Sequence, residues 1–223
     1  MKMTLKQLVE RFREDASDLV EPYLFSQEFV EDALNEAQAE AAIRARLLFE
    51  CDSRTICEIT LVPGKSVYPL HESLYEISRL ERVEDGQPDA VLELKSQEWL
   101  DRKYPNWRND HSHVLPYATQ LDTKLRLATP PKQAGLLRLE GYRLPLCLMR
   151  AERDTPEIHT AHHEQLVHWA LHRAFSRPDA DGFDPQRAAS ALGKFTDYFG
   201  LRPDANLRRD SREDLDHANV SYI

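Results

Sequence analysis

Thr55-Ile-Cys-Glu-Ile-Thr-Leu-Val62, Ser73-Leu-Tyr-Glu-Ile-Ser-Arg-Leu80 and Lys124-Leu-Arg-Leu-Ala128 alternate apolar and polar residues. That period of two is the pattern of half-buried strands. Residues on either side of Thr55–Pro145 switch to a period near 3.6, so the chain reads as helix, then a small sheet, then helix again. Between the strand-like runs, Val62-Pro63-Gly64-Lys65 and Glu84-Asp85-Gly86-Gln87-Pro88 carry turn chemistry. Val67-Tyr68-Pro69-Leu70 is extended, because a residue preceding proline avoids the helical region. Ser96 to Tyr104 reads as a short capped helix ended by Pro105. Leu125, Leu127, Leu137, Leu139 and Tyr142 mark a final strand pair around Pro130-Pro131 and Gly135. Four to six strands are expected in all.

Working outward, Thr4 caps a first helix whose Leu5, Leu8, Val9 and Phe12 form one stripe, ending before Pro22. Ser26 caps a second, with Gln27 and Glu28 in its first turn and Phe25 and Val30 spaced as a hydrophobic staple. Its interior repeats Ala at 33, 37, 39, 41, 42 and 45, which favours helix and lets neighbouring helices approach closely. After the strands, His159 to Arg177 places Val167, Ala170, Leu171, Ala174 and Phe175 on one face. Asp184 with Pro185 opens a last helix, and Gly200 stops it. Leu201 to Ile223 is rich in charge and poor in apolar anchors, a composition that orders on a partner.

At 223 residues the chain has room for one domain or a domain with a large insertion. Seven glycines and 30% charged residues speak for much helix and a solvated surface. A formal charge of −9 argues against the broad basic face that tight DNA binding needs. Cys51, Cys57 and Cys147 are odd in number and lack C-x-x-C spacing, so they read as reduced thiols of a cytoplasm. Neither a secretion signal nor a run of about 18 apolar residues is visible, so no membrane partner is expected.

For chemistry, the strongest candidate is the histidine-rich region from His159 to His172. Glu164, His168 and His172 fall at i, i+4 and i+8 on one helical face, a geometry able to bind zinc. The H-E-x-x-H pattern fails, because Val167 stands where the second histidine belongs. Structural or surface histidine is the stronger reading, and a metal-dependent enzyme is kept as the alternative. In Asp179-Ala-Asp-Gly-Phe-Asp184, Phe183 and Ser190 occupy positions where a calcium loop needs oxygen ligands, so this is a turn and helix cap. No P-loop, dinucleotide-binding glycine pattern or serine elbow occurs. Trp99, Tyr104 and Trp107 read as core or interface aromatics.

Six segments together resemble the head-to-tail adaptor, or head completion, proteins of tailed bacteriophages. They are Leu5-Lys-Gln-Leu-Val-Glu-Arg-Phe12, Phe29-Val-Glu-Asp-Ala-Leu-Asn-Glu-Ala-Gln38 and Leu61-Val-Pro-Gly-Lys-Ser-Val-Tyr-Pro-Leu70, followed by Trp99-Leu-Asp with Pro105-Asn-Trp107, Leu166-Val-His-Trp-Ala-Leu-His-Arg-Ala-Phe175 and Phe195-Thr-Asp-Tyr-Phe-Gly200. Their order and spacing, over about residues 4 to 200, carry the resemblance. It implies a non-enzymatic virion protein made in the host cytoplasm, needing no cofactor. It further implies a dodecameric ring at the neck, joining the portal to a tail or nozzle protein and continuing the DNA channel.

On this reading the fold class is α+β: a four-helix bundle core from 1–53 and 150–200, an inserted antiparallel β-rich subdomain over 54–149, and an extended C-terminal arm over 201–223. The arm offers Arg208, Arg209 and Arg212 to acidic partners and Leu207, Leu215, Val220, Tyr222 and Ile223 as apolar anchors on the portal. Glu28, Glu31, Asp32, Glu36 and Glu40 are the acidic residues expected at a channel surface that lets DNA slide without sticking.

Overall fold

The computed structural model of the chain describes residues 2–84, 89–110, 112–178 and 181–203. Within them the fold is mixed α+β, with six α-helices and two sheets. The chain divides into two compact units, one of Met1–Leu48 with Arg143–Arg202 and one holding Phe49–Tyr142.

The helical unit is built from α1 (Leu5–Ala16), α2 (Gln27–Ala45), α5 (Leu166–Phe175) and α6 (Pro185–Phe199), and α5 packs against the other three. Local signals set the ends. Thr4 and Gln7 form a reciprocal capping box, the Ser26 hydroxyl accepts the Phe29 N–H at 3.3 Å, and Asp184 accepts from Gln186 and Arg187, each at 3.0 Å. α1 stops at Ser17, whose φ of 61° lies in the left-handed region, well before Pro22. The expected stripe of Leu5, Leu8, Val9 and Phe12 is buried, as are Phe25 and Val30 of the staple. Ala33, Ala37, Ala41 and Ala42 are buried among larger side chains from α1, α5 and α6. Two α2 residues reach a distant segment: Asn35 donates to the Met149 carbonyl at 3.0 Å and accepts its N–H at 2.8 Å, and Gln38 accepts the Glu157 N–H.

Periodicity over His159–Arg177 suggests one helix, but the chain makes a 3-10 turn at Thr160–Gln165 before α5 begins. The cause is His163, which is buried. It accepts the Met3 N–H on Nδ1 at 3.1 Å and donates from Nε2 to the Ile158 carbonyl at 3.0 Å, so the segment tightens around its ring.

The β-rich unit contains nine strands among its described residues, more than the four to six expected. One sheet has the order β1 (Phe49–Glu50), β9 (Gly135–Arg143), β4 (Leu74–Glu84), β5 (Ala90–Val91), and β2 (Glu58–Leu61) also pairs with β9. The other runs β3 (Val67–Pro69), β8 (Lys124–Leu127), β7 (Tyr117–Gln120), β6 (Glu93–Leu94). Leu137 and Leu139 of the first sheet and Leu125 and Leu127 of the second meet in one core. The sequence marked these four leucines as a strand pair; instead β8 and β9 belong to different sheets. Their link carries Pro130-Pro131, which cannot donate to a ladder, so the chain changes sheet there and the leucines meet face to face.

Three further differences have physical causes. The alternation beginning at Thr55 is interrupted by a helical turn, α3 (Arg54–Cys57), which buries Ile56 and Cys57, and only Glu58–Leu61 is strand. That turn lets β1 and β2 both pair with β9, at Gly141–Tyr142 and Gly135–Arg138 respectively. The sheets are not wholly antiparallel, because β6 and β7 run parallel, Glu93 opposite Tyr117. A parallel pair needs a crossover, and α4 (Gln97–Lys103), capped by Ser96 as expected, lies in it. The Val62–Lys65 turn forms with Gly64 at φ 77°, where glycine is favoured. The expected turn at Glu84–Pro88 lies outside the described residues beyond Glu84.

Candidate interaction surfaces

α2 presents the five acidic residues expected at a channel, and the structure separates them. Glu28, Asp32 and Glu36 are exposed and recur every four residues along one side of the helix. Glu36 pairs with Arg173 at 3.1 Å, and Glu31, half-buried, accepts from Gln27 at 2.8 Å. Glu40 departs from the expectation. It is 6% exposed and pairs with Arg44 at 2.8 Å and Arg202 at 3.3 Å, so its charge is compensated within the subunit. Four residues turn the helix by only about 40°, so Glu36 and Glu40 share a side of α2. It is the cover of Arg44 and Arg202 near the end of α6 that buries Glu40, while Glu36 stays exposed. The arm residues Leu207, Arg208, Arg209, Arg212, Leu215, Val220, Tyr222 and Ile223 lie outside the described residues.

Two apolar surfaces escaped the sequence reading. Between α1 and α2 the chain exposes Leu19 (64%) and Val20 (79%), with Tyr23 and Leu24 partly so. This loop has a charged, buried base. Asp18 pairs with Arg13 and accepts the N–H groups of Leu24 at 2.8 Å and Phe25 at 3.1 Å, while Arg13 donates to the Phe25 carbonyl at 2.6 Å. The Arg13 guanidinium lies 4.1 Å from the centre of the Tyr23 ring. Exposed apolar residues on an anchored loop are suited to a partner. The signal was present as Leu19-Val20 and Tyr23-Leu24 outside any helical period. A second surface is the groove of about 740 Å³ lined by Lys2, Leu146, Leu148, Arg153 and Glu157. Leu146 and Leu148 are both at least half exposed.

The histidine region does not assemble into a ligand set. His172 donates from Nδ1 to the Ala188 carbonyl at 3.1 Å, His162 shares a hydrogen bond with the Tyr198 hydroxyl at 3.1 Å, and His159 caps the Ala161 N–H at 3.2 Å. Loss of solvent, then Lys194, pushes the His168 pKa down. Among the described residues no three His, Cys, Asp or Glu side chains are grouped to hold a metal ion. The 3-10 turn breaks the helical face on which Glu164 would have aligned with His168 and His172.

In the β-rich unit, Trp107 is buried with Leu100 and Ala128, and its indole donates to Asp101 at 2.8 Å. Trp99 and Tyr104 pack on Tyr117, with ring centres 5.1 and 5.9 Å away, so these aromatics are chiefly packing residues. Cys51, Cys57 and Cys147 carry free thiols. Burial first, and the nearby Glu50, Cys51 and Asp52 charges next, push the Cys57 thiol up to about 11, so it is a poor nucleophile at neutral pH. No helix among the described residues is long and apolar enough to cross a membrane.

No match to the chain is found among curated proteins. Residues 3–218 match the SU10 adaptor protein family. That span takes in the helices, both sheets and most of the C-terminal segment, and the chain is therefore a member of this family of structural bacteriophage adaptors.

Proposed function

We propose that the protein is a head-to-tail adaptor that assembles as a dodecameric ring at the virion neck. The ring docks beneath the portal, receives a tail or nozzle protein on its other side, and continues the channel through which DNA leaves. The observation that carries this reading is the family match over residues 3–218, which includes the helical unit and the β-rich unit alike. In this reading α1, α2, α5 and α6 act as a four-helix bundle core, the β-rich unit faces the tail partner, and residues 201–223 form the arm.

Leu207, Leu215, Val220, Tyr222 and Ile223 supply apolar contacts to the portal, and Arg208, Arg209 and Arg212 pair with its acidic groups. Glu28, Glu31, Asp32 and Glu36 give the channel side an acidic lining that passing DNA does not grip. Glu40 drops out of that lining because it is buried. The role is mechanical, and a metal-dependent enzyme on the His159–His172 region gains no support from the positions of those side chains.

The test is to mix the purified protein with the cognate portal, with and without residues 203–223, and to measure the mass and symmetry of the complex. A twelvefold ring formed by the full chain and lost on truncation is the expected result. Failure of both forms to bind the portal would overturn the reading.

A further inference from the structure

The buried carboxylate of Glu40 sits beside the end of α6, where the chain leaves the helical unit. Arg44, one turn along α2, donates from Nε to Glu40 at 2.8 Å and from Nη1 to the Thr196 hydroxyl at 3.1 Å and the Gly200 carbonyl at 3.2 Å. Its guanidinium is 5.2 Å from the ring centres of both Trp169 and Phe195, so the aromatic faces hold its plane. Gly200 ends α6 with its N–H on the Thr196 carbonyl and a φ of 85°. The other Glu40 oxygen meets Arg202 at 3.3 Å. One carboxylate thus links α2 to residues on both sides of Gly200, through a guanidinium whose planar fork fixes direction as well as distance. Buried ion pairs contribute little net stability compared with apolar pairs of the same volume. What this one adds is geometry at the root of the C-terminal segment.

We infer that Glu40 and Arg44 are positioning residues that set where, and in which direction, the C-terminal segment leaves the helical unit, with Arg202 as the latch on the segment itself. The inference rests on the adaptor reading, in which that segment is the portal-binding arm. A root held in place lowers the ordering cost the arm meets on binding, so the clamp acts on portal affinity without touching the portal.

The experiment titrates the cognate portal with the full-length protein and with Arg202→Ala, Arg202→Lys and Glu40→Gln, each with and without residues 204–223. Hydrogen exchange at Leu201 and Arg202 is followed in parallel. Arg202→Ala is expected to weaken binding about threefold, as for an exposed ion pair, and Glu40→Gln about tenfold, because it leaves Arg44 without its carboxylate. Arg202→Lys keeps the charge and stays near wild type. Exchange at Leu201 and Arg202 rises in the two weakened variants, and no variant changes any residual binding once 204–223 are gone.

If truncation abolishes binding but the full-length variants bind like wild type, the adaptor reading stands and the clamp is overturned. An equal loss with and without 204–223 would make Glu40 a fold residue only, which also overturns it. Should truncation itself leave binding intact, the arm reading falls and the clamp falls with it. Glu40→Gln risks misfolding around Arg44, but Arg202 is 59% exposed, so Arg202→Ala keeps the test decisive.

Discussion

Both units of this chain are assembled from segments distant in sequence, but their elements are specified over different distances. In the helical unit three of the four helices carry their own start signal: Thr4, Ser26 and Asp184 all accept backbone N–H groups of the turn that follows them, while α5 begins at Gln165 with no side-chain cap. In the β-rich unit the central element is β9, and its partners come from residues 49–61 and from β4, far back along the chain. Local chemistry therefore defines most helices one at a time, whereas the sheet around β9 exists only once distant segments have met. The lesson is that an apolar alternation identifies a strand without naming its neighbour.

This contrast can be broken experimentally, most forcefully in the helical core. Phe12 is fully buried and meets Phe25 edge to face with ring centres 5.8 Å apart. Phe12→Ala is expected to cost about 4 kcal/mol. Segment-resolved hydrogen exchange should show the loss in α1, α2 and α5, with β4 and β9 still protected. Equal loss of protection in β4 and β9 would show that the two units unfold as one.

A somewhat smaller effect is expected in the β-rich unit at Gly141. A methyl group there would lie 2.3 Å from the Glu76 carbonyl oxygen and 3.1 Å from the Ile77 Cα, so the backbone must move. Gly141→Ala should cost about 3 kcal/mol and release exchange in β4 and β9 while leaving α1 and α2 unchanged. A variant as stable as wild type would mean that β9 does not approach β4 this closely.

Caps sharpen the comparison at lower cost. Ser26 starts α2 and Ser96 starts α4, each through a hydroxyl that accepts an N–H three residues on. Either Ser→Ala change should cost about 1 kcal/mol in a denaturant melt, felt in its own unit. A loss near zero for Ser96→Ala would place the strength of α4 in Leu100 packing rather than in its cap.

The smallest effects are pH slopes of opposite sign. In the helical unit, burial lowers the pKa of His168 and of His162 from the ordinary 6.5. Unfolded chains then bind protons that the folded unit does not, so stability is unaffected above about pH 6.5 and falls as pH drops below it. In the β-rich unit the Cys57 thiol is raised from 9.0 to about 11, so the unfolded chain ionises first. Its contribution is complete below pH 9 and is lost as pH rises toward 11. His168→Gln should flatten the acid slope and Cys57→Ala the alkaline one, each read from urea midpoints across pH. Unchanged slopes would assign the pH dependence to other groups.

Residues within a turn or two of one another determined the caps of α1, α2, α4 and α6, the Leu5–Phe12 stripe, the Gly64 turn and most strand positions. These were legible in the sequence because each depends on a hydrogen bond or an apolar face spanning only a few residues. The six-segment resemblance to adaptors was legible for the same reason, as an order of local patterns. The exposure of the Leu19–Leu24 loop and of the Leu146–Leu148 groove was not, since apolar pairs outside a helical period mark a segment without saying whether a core covers it.

Tertiary structure alone decided that β8 and β9 belong to different sheets, that β6 and β7 run parallel, and that His163 tightens the start of α5. It also turned Glu40 inward toward Arg44 and Arg202 while Glu36, one turn earlier, stayed in solvent. Spacing along a helix says which residues share a face, but the packing of a second helix chooses which face is dry. A carboxylate on the dry side persists only where cations come to meet it; Arg44 lies one turn along the same helix, but Arg202 comes from far along the chain.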